Sequence, residues 1–208
     1  MTYKNVLFDV DNTLIDSATI AANVLHKIIA EYGHDVSAAT VRGLVGLPTD
    51  KILQQLNLNH IEEISQKFTV AIGTHKNELD FFAGIQPLLS ELKSAGLNTG
   101  IVTSRTAAEV DSDLGAFPEI TTSNIIVTAD KTTEHKPSGA PLEYAVRQHH
   151  LVKAETIYVG DTIYDMQAAQ NAQMAFASAT WGALPTTDFS AATLRPQQPS
   201  DLLAMLTA

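Results

Sequence analysis

Two carboxylates spaced two apart, Asp9 and Asp11, follow a short apolar run, Val6-Leu7-Phe8, and a hydroxyl, Thr13, stands two further on. Side chains at i and i+2 of an extended chain face the same way. Asp9 and Asp11 can therefore address one small ligand, and a magnesium ion would keep them from repelling each other. The spacing alone is weak, because shuffling this composition gives roughly 0.1 chance matches to D-x-D-x-T. Asp and Thr also cap helices. What lifts the pattern is its place after an apolar strand and the groups that follow downstream.

Three further groups of residues have a similar setting. Thr103-Ser104-Arg105 follows the apolar run Thr99–Val102. A hydroxyl with adjacent backbone N–H groups before a helix forms a phosphate cradle. Taken alone, the tripeptide reads more readily as a Thr cap. Lys136, followed by Pro137, stands in a loop before a helix expected from about Ala140, where it can offer a fixed positive charge. Its neighbour His135, and the pair His149 and His150, read as surface residues. Asp161 follows Thr156–Val159 and Gly160, with Asp165 four further on in the first turn of an expected helix. Two such acids can complete an oxygen-ligand magnesium site. Acid pair, hydroxyl, Lys and acid pair thus each fall at or just after a strand end, where open α/β sheets bind ligands.

The elements that position these residues follow from hydrophobic pattern. Strands are expected at Val6–Phe8, Thr99–Val102, Ile125–Val127, Thr156–Val159 and Met174–Ala177, alternating with helices. This predicts an α/β fold with a doubly wound parallel sheet, a Rossmann-like core. Between Thr13 and Phe81 the pattern is helical throughout. Ile20, Val24, Ile28 and Ile29 form one face, stopped by Gly33. Ser37 can cap a second helix that Gly43 and Gly46 end, a third runs from about Thr49 to Leu56, and a fourth carries Ile61, Ile64, Phe68 and Ile72. Four helices in place of one crossover predict an inserted cap domain at 17–79, with the core formed by 1–16 and 80–208. The stretch Leu184–Pro199 reads as loop.

Bulk properties narrow the function. The 208 residues are 45% hydrophobic, enough for a core, and carry a net charge of −10. That charge argues against nucleic acid and anionic membrane surfaces as partners. There is no cysteine, hence no disulfide or thiolate metal site. No signal pattern or bilayer-length apolar stretch is present, and a cytoplasmic location is expected. A monomer or a homodimer would fit equally.

Taken together, these motifs resemble the haloacid dehalogenase-like hydrolase superfamily, in its phosphoglycolate-phosphatase-like branch with an inserted helical cap. Asp16-Ser17 and Trp181-Gly182 fit the same branch. The resemblance implies that Asp9 is the nucleophile, Asp11 the general acid/base, Thr103 the phosphoryl-binding hydroxyl, and Lys136 the charge-offsetting cation. It implies Mg2+ held by Asp9, Asp11 through its backbone carbonyl, Asp161, and Asp165 directly or through water. Ser104, Arg105 and the cap residues Arg42 and Lys51 are the candidate substrate contacts. Asn12 and Ser138-Gly139 depart from the commoner pattern, in which Gly and a second acid or Pro stand. Dehalogenases and phosphonate-cleaving members lack the second acid, so Asp11 argues against both.

The expected activity is magnesium-dependent hydrolysis of a small phosphate monoester through an aspartyl-phosphate intermediate, acting on a small phosphorylated metabolite. A sugar-phosphate mutase on the same scaffold is the alternative. That branch tends to carry Glu before the Asp161 equivalent, where this chain has Gly160. A phospho-accepting receiver domain and a non-catalytic binding protein are more distant readings.

Overall fold

The computed structural model describes residues 3–45 and 49–207. The chain divides into two compact units, residues 1–15 with 81–208, and residues 16–80.

The larger unit is built on a five-stranded sheet. The strands are β1 (Asn5–Phe8), β2 (Asn98–Val102), β3 (Ile126–Val127), β4 (Thr156–Gly160) and β5 (Ala175–Ser178). They are ordered β3-β2-β1-β4-β5, and every pairing is parallel. Every residue of β1 and β4 is buried, as the near-continuous apolar runs require of strands covered on both faces. Phe8 stands opposite both Ile101 and Val159, so β1, β2 and β4 end level with one another. Asp9, Thr103 and Asp161 therefore leave the same edge of the sheet. One side-chain cluster joins Leu7, Val102, Val127, Tyr158 and Phe176 to Leu142, Met166 and Phe189.

In this unit lie α5 (Ile85–Ser94), α6 (Ala107–Asp113), α7 (Pro118–Thr121), α8 (Ala140–Gln148), α9 (Ile163–Asn171) and α10 (Pro199–Thr207). Earlier in the chain, α1 (Ser17–Glu31), α2 (Ala38–Arg42), α3 (Thr49–Gln55) and α4 (Ile61–Ile72) form the helical unit. Its core draws Leu25, Ile28, Ile29, Val41, Leu53 and Ile64 from all four helices. Ser37 caps α2 as its sequence position suggests, and Gly43 closes it. Gly46 lies outside the described residues. Asp16 N–H donates to the Asp80 carbonyl at 3.0 Å, tying together the two ends of this unit.

The stretch after β5 has a structural role. Thr193 and Leu194 N–H both donate to the Phe176 carbonyl, and Ser178 N–H donates to the Leu194 carbonyl. The segment thus covers the outer edge of β5, which would otherwise present unpaired backbone groups. Among the described residues, no helix is long and apolar enough to cross a membrane.

Candidate active site

Asp9 is the first residue beyond β1, and its N–H extends the ladder to the Val159 carbonyl at 2.8 Å. The ladder fixes its backbone, and its side chain is buried. Asp161 follows β4 directly. Thr162 then caps α9 in a reciprocal box: its hydroxyl accepts from Asp165 N–H, and the Asp165 carboxylate accepts from Thr162 N–H. The capping box is what turns Asp165 back toward the sheet edge. Oxygens of Asp9, Asp161 and Asp165 lie within 4.8 Å of one another.

Lys136 enters this cluster from the loop after β3. Asn171 of α9 donates to the Pro137 carbonyl at 2.8 Å, and Ser138 N–H donates to the His135 carbonyl at 2.8 Å, holding that loop. The Lys136 Nζ donates to Asp9 Oδ1 at 2.7 Å, Asp165 Oδ1 at 2.7 Å and Tyr158 Oη at 3.0 Å. Its three N–H donors thus have three acceptors. Tyr158 is a member of this site that the motifs do not reveal. Its hydroxyl also faces the Val102 carbonyl at 3.0 Å and Asp165 Oδ1 at 3.1 Å. A phenol hydroxyl in the middle of a wholly buried strand, between Ile157 and Val159, was the available signal.

Charge does not balance here. Three buried carboxylates face one ammonium. Burial, only partly offset by Lys136, raises the Asp9 carboxyl to about 7. Burial, with repulsion from Asp9 and Asp165, raises Asp161 to about 8. Burial opposes the Asp165 charge too, yet the Lys136 ammonium and the Thr162 donors hold its carboxyl below the usual range. Burial likewise works against the Lys136 charge, but Asp165 and Asp9 hold it well above its ordinary value. A cluster of hard oxygen donors with excess negative charge fits a divalent cation such as magnesium.

Thr13 and Thr103 are not helix caps. Thr13 Oγ1 donates to Asp161 Oδ1 at 3.2 Å, while Asp16 caps α1. Thr103 Oγ1 accepts from Arg105 N–H at 3.2 Å, while Thr106 caps α6. Asn12 takes the left-handed backbone, φ 56°, in the turn after Asp11. That turn is braced from the loop after β5. The Trp181 indole donates to the Thr13 carbonyl at 2.9 Å, and a Cβ on Gly182 would lie 1.7 Å from the Asn12 carbonyl oxygen.

The Asp11 carboxylate points elsewhere than the three-acid cluster, onto the Arg105 guanidinium. Ser104 is exposed beside it. Arg42 and Lys51 belong to the helical unit, Arg42 in the last turn of α2 and Lys51 in α3, where its Nζ donates to Gln54 Oε1 at 3.1 Å. Of the intervening loop, residues 46–48 lie outside the described part.

The parallel sheet ordered β3-β2-β1-β4-β5, with three carboxylates gathered around one ammonium at its edge, defines an α/β protein with an acidic, cation-ready site. Residues 6–179 match the haloacid dehalogenase-like hydrolase family. The chain belongs to that family and is a hydrolytic enzyme. A Clostridium perfringens protein provisionally named pyrophosphatase PpaX is 32% identical over 187 residues, covering 88% of this chain and 86% of the relative. The phosphoglycolate phosphatase of Xylella fastidiosa is 29% identical over 188 residues, covering 86% and 81%. A crystal structure from Lactobacillus plantarum, provisionally assigned as a phosphoglycolate phosphatase, superposes with a TM-score of 0.80 at 28% identity, covering 99% of this chain and all of that one.

Proposed function

We propose that this enzyme is a phosphatase that hydrolyses a small phosphate monoester with magnesium, through an aspartyl phosphate on Asp9. The observation that carries this reading is the buried set of Asp9, Asp161, Asp165 and Lys136 at the ends of β1 and β4. The names of the relatives, which are pyrophosphatases and phosphoglycolate phosphatases, support the same chemistry.

The steps follow from the side chains. Asp9 attacks phosphorus, and the bond to the leaving oxygen breaks as Asp11 gives that oxygen a proton. Asp11 then takes a proton from water, which attacks phosphorus and releases inorganic phosphate and free Asp9. Thr103 and neighbouring N–H groups hold the transferring oxygens, and Lys136 offsets their charge. Asp9, Asp161 and Asp165 would hold magnesium, and the bound ion supplies the charge that keeps Asp9 ionised near neutral pH. In this reading the helical unit, residues 16–80, is a cap that selects the substrate.

The test is a panel of phosphorylated metabolites with magnesium, assayed for free phosphate. Hexose 1-phosphate is added with and without catalytic hexose bisphosphate. Release of phosphate from a small monoester is expected. Bisphosphate-dependent hexose 6-phosphate appearing faster than free phosphate would establish the mutase instead.

A further inference from the structure

Tyr158 stands in the middle of β4, between Ile157 and Val159, and is fully buried. Its ring packs beside Phe176, with centroids 6.3 Å apart, in the cluster that also holds Leu7 and Val102. A phenylalanine would fill that place as well, and a buried hydroxyl costs free energy unless it is partnered. This hydroxyl has three partners. Lys136 Nζ donates to it at 3.0 Å, and its single proton has two acceptors, the Val102 carbonyl at 3.0 Å and Asp165 Oδ1 at 3.1 Å. Whichever of them takes the proton, a lone pair is left for Lys136. Nζ lies 5.6 Å from the ring centroid, so the ammonium meets the oxygen end-on and not the face of the ring. Val102 is the last residue of β2, directly before Thr103. One phenol thus ties the lysine to the strand end that carries Thr103.

We propose that Tyr158 is a positioning residue for Lys136, the fixed point that holds the ammonium in place while its other two partners change. This rests on the phosphatase reading, in which Lys136 offsets charge on the transferring oxygens. The other two partners are Asp9 and Asp165. In that reading Asp9 gives up its negative charge when one of its oxygens bonds to phosphorus, and its hold on Lys136 weakens. Asp165 shares its oxygens with a bound cation. The Tyr158 oxygen stays neutral, bonds to nothing new and is set on a buried strand, so its grip on Nζ is the same in both steps. A lysine needs such a grip, because its four-carbon stem is flexible and an ammonium, unlike a guanidinium fork, has no planar geometry to orient it.

The test separates positioning from packing. Tyr158→Phe removes the oxygen and keeps the ring. With saturating magnesium it should lower kcat on a phosphate monoester by roughly 10-fold, on the scale of a slightly misplaced catalytic group, with KM within about twofold. Its affinity for orthovanadate, which takes the five-coordinate shape of a transferring phosphoryl group, should fall by a similar factor when measured by calorimetry. In a Lys136→Gln background, Tyr158→Phe should weaken vanadate binding no further, because the ammonium that it positions is gone. A merely structural hydroxyl would lower the melting temperature and leave both kcat per folded molecule and the vanadate affinity unchanged, and that result overturns the proposal. So does a loss borne by KM alone, or an undiminished loss of vanadate affinity in the Lys136→Gln background. Failure of the wild-type enzyme to turn over any phosphate monoester strikes the phosphatase reading itself, which is a different result.

Discussion

A Cβ atom on Gly160 would lie 2.5 Å from the Cβ of Asp165. Gly160 is not among the residues with positive φ, so the requirement is one of space and not of backbone freedom. The capping box seats Asp165 directly over the last residue of β4, and only a residue without a side chain leaves room. Any larger side chain at position 160 would compete for the same volume.

Gly160→Ala should therefore destabilise the protein by about 1–3 kcal/mol, as overpacking of a filled site does. It should also lower kcat by displacing Asp165 from Lys136. The Gly160→Ala, Asp165→Gly pair, which also removes the Asp165 Cβ, should show less loss than the two single changes summed, though no activity. Thermal melts of the four proteins give the coupling, and strictly additive losses would count against the proposed contact.

Metal-free stability should fall as pH rises. Asp9 and Asp161, raised to about 7 and about 8, keep protons in the folded state that unfolded carboxyls release above about pH 4. The folded state then binds more protons than the unfolded one, so stability is lost between about pH 4 and pH 8. Asp165 has the opposite sign, and its contribution is lost only at more acid pH. Melting curves from pH 5 to 8 with chelator should show the decline. Magnesium should raise the melting temperature more at pH 8 than at pH 5, and equal increments would contradict the assignment.

Trp181→Phe removes the indole N–H from the Thr13 carbonyl and should cost about 1 kcal/mol. Because that bond braces the turn carrying Asp11, kcat should fall while KM changes little. Gly182→Ala forces a Cβ against the Asn12 carbonyl and should be the more damaging of the two. Kinetics and melting temperature of both variants check the order.

Much of the framework was readable from pattern. Apolar runs placed all five strands to within about two residues. Alternation with helices pointed to the parallel sheet, and the motifs led to the acids at its edge. What escaped depended on partners that residue type alone does not name. Thr13 and Thr103 had the residue type of caps, but the capping was done by Asp16 and Thr106, and the two hydroxyls turned to Asp161 and Arg105 N–H. Arg105 read as a substrate contact because Asp11, its partner, is 94 positions away. The need for Gly at position 160 is set by Asp165 across the capping box, a contact that no pattern of residue types records. The loop 184–199 had no periodicity because its role is to pair backbone groups with one edge strand, and backbone pairing leaves little mark on side-chain pattern.

The central claim is that Asp9 is the nucleophile, and Asp9→Asn tests it most directly. Phosphate release from the best substrate should be measured with saturating magnesium, alongside a melting curve. The variant should stay folded and turn over at less than about a hundredth of the wild-type rate, since without the carboxylate no phosphoryl acceptor remains. A folded Asp9→Asn enzyme that keeps more activity than that would show that some other group attacks phosphorus.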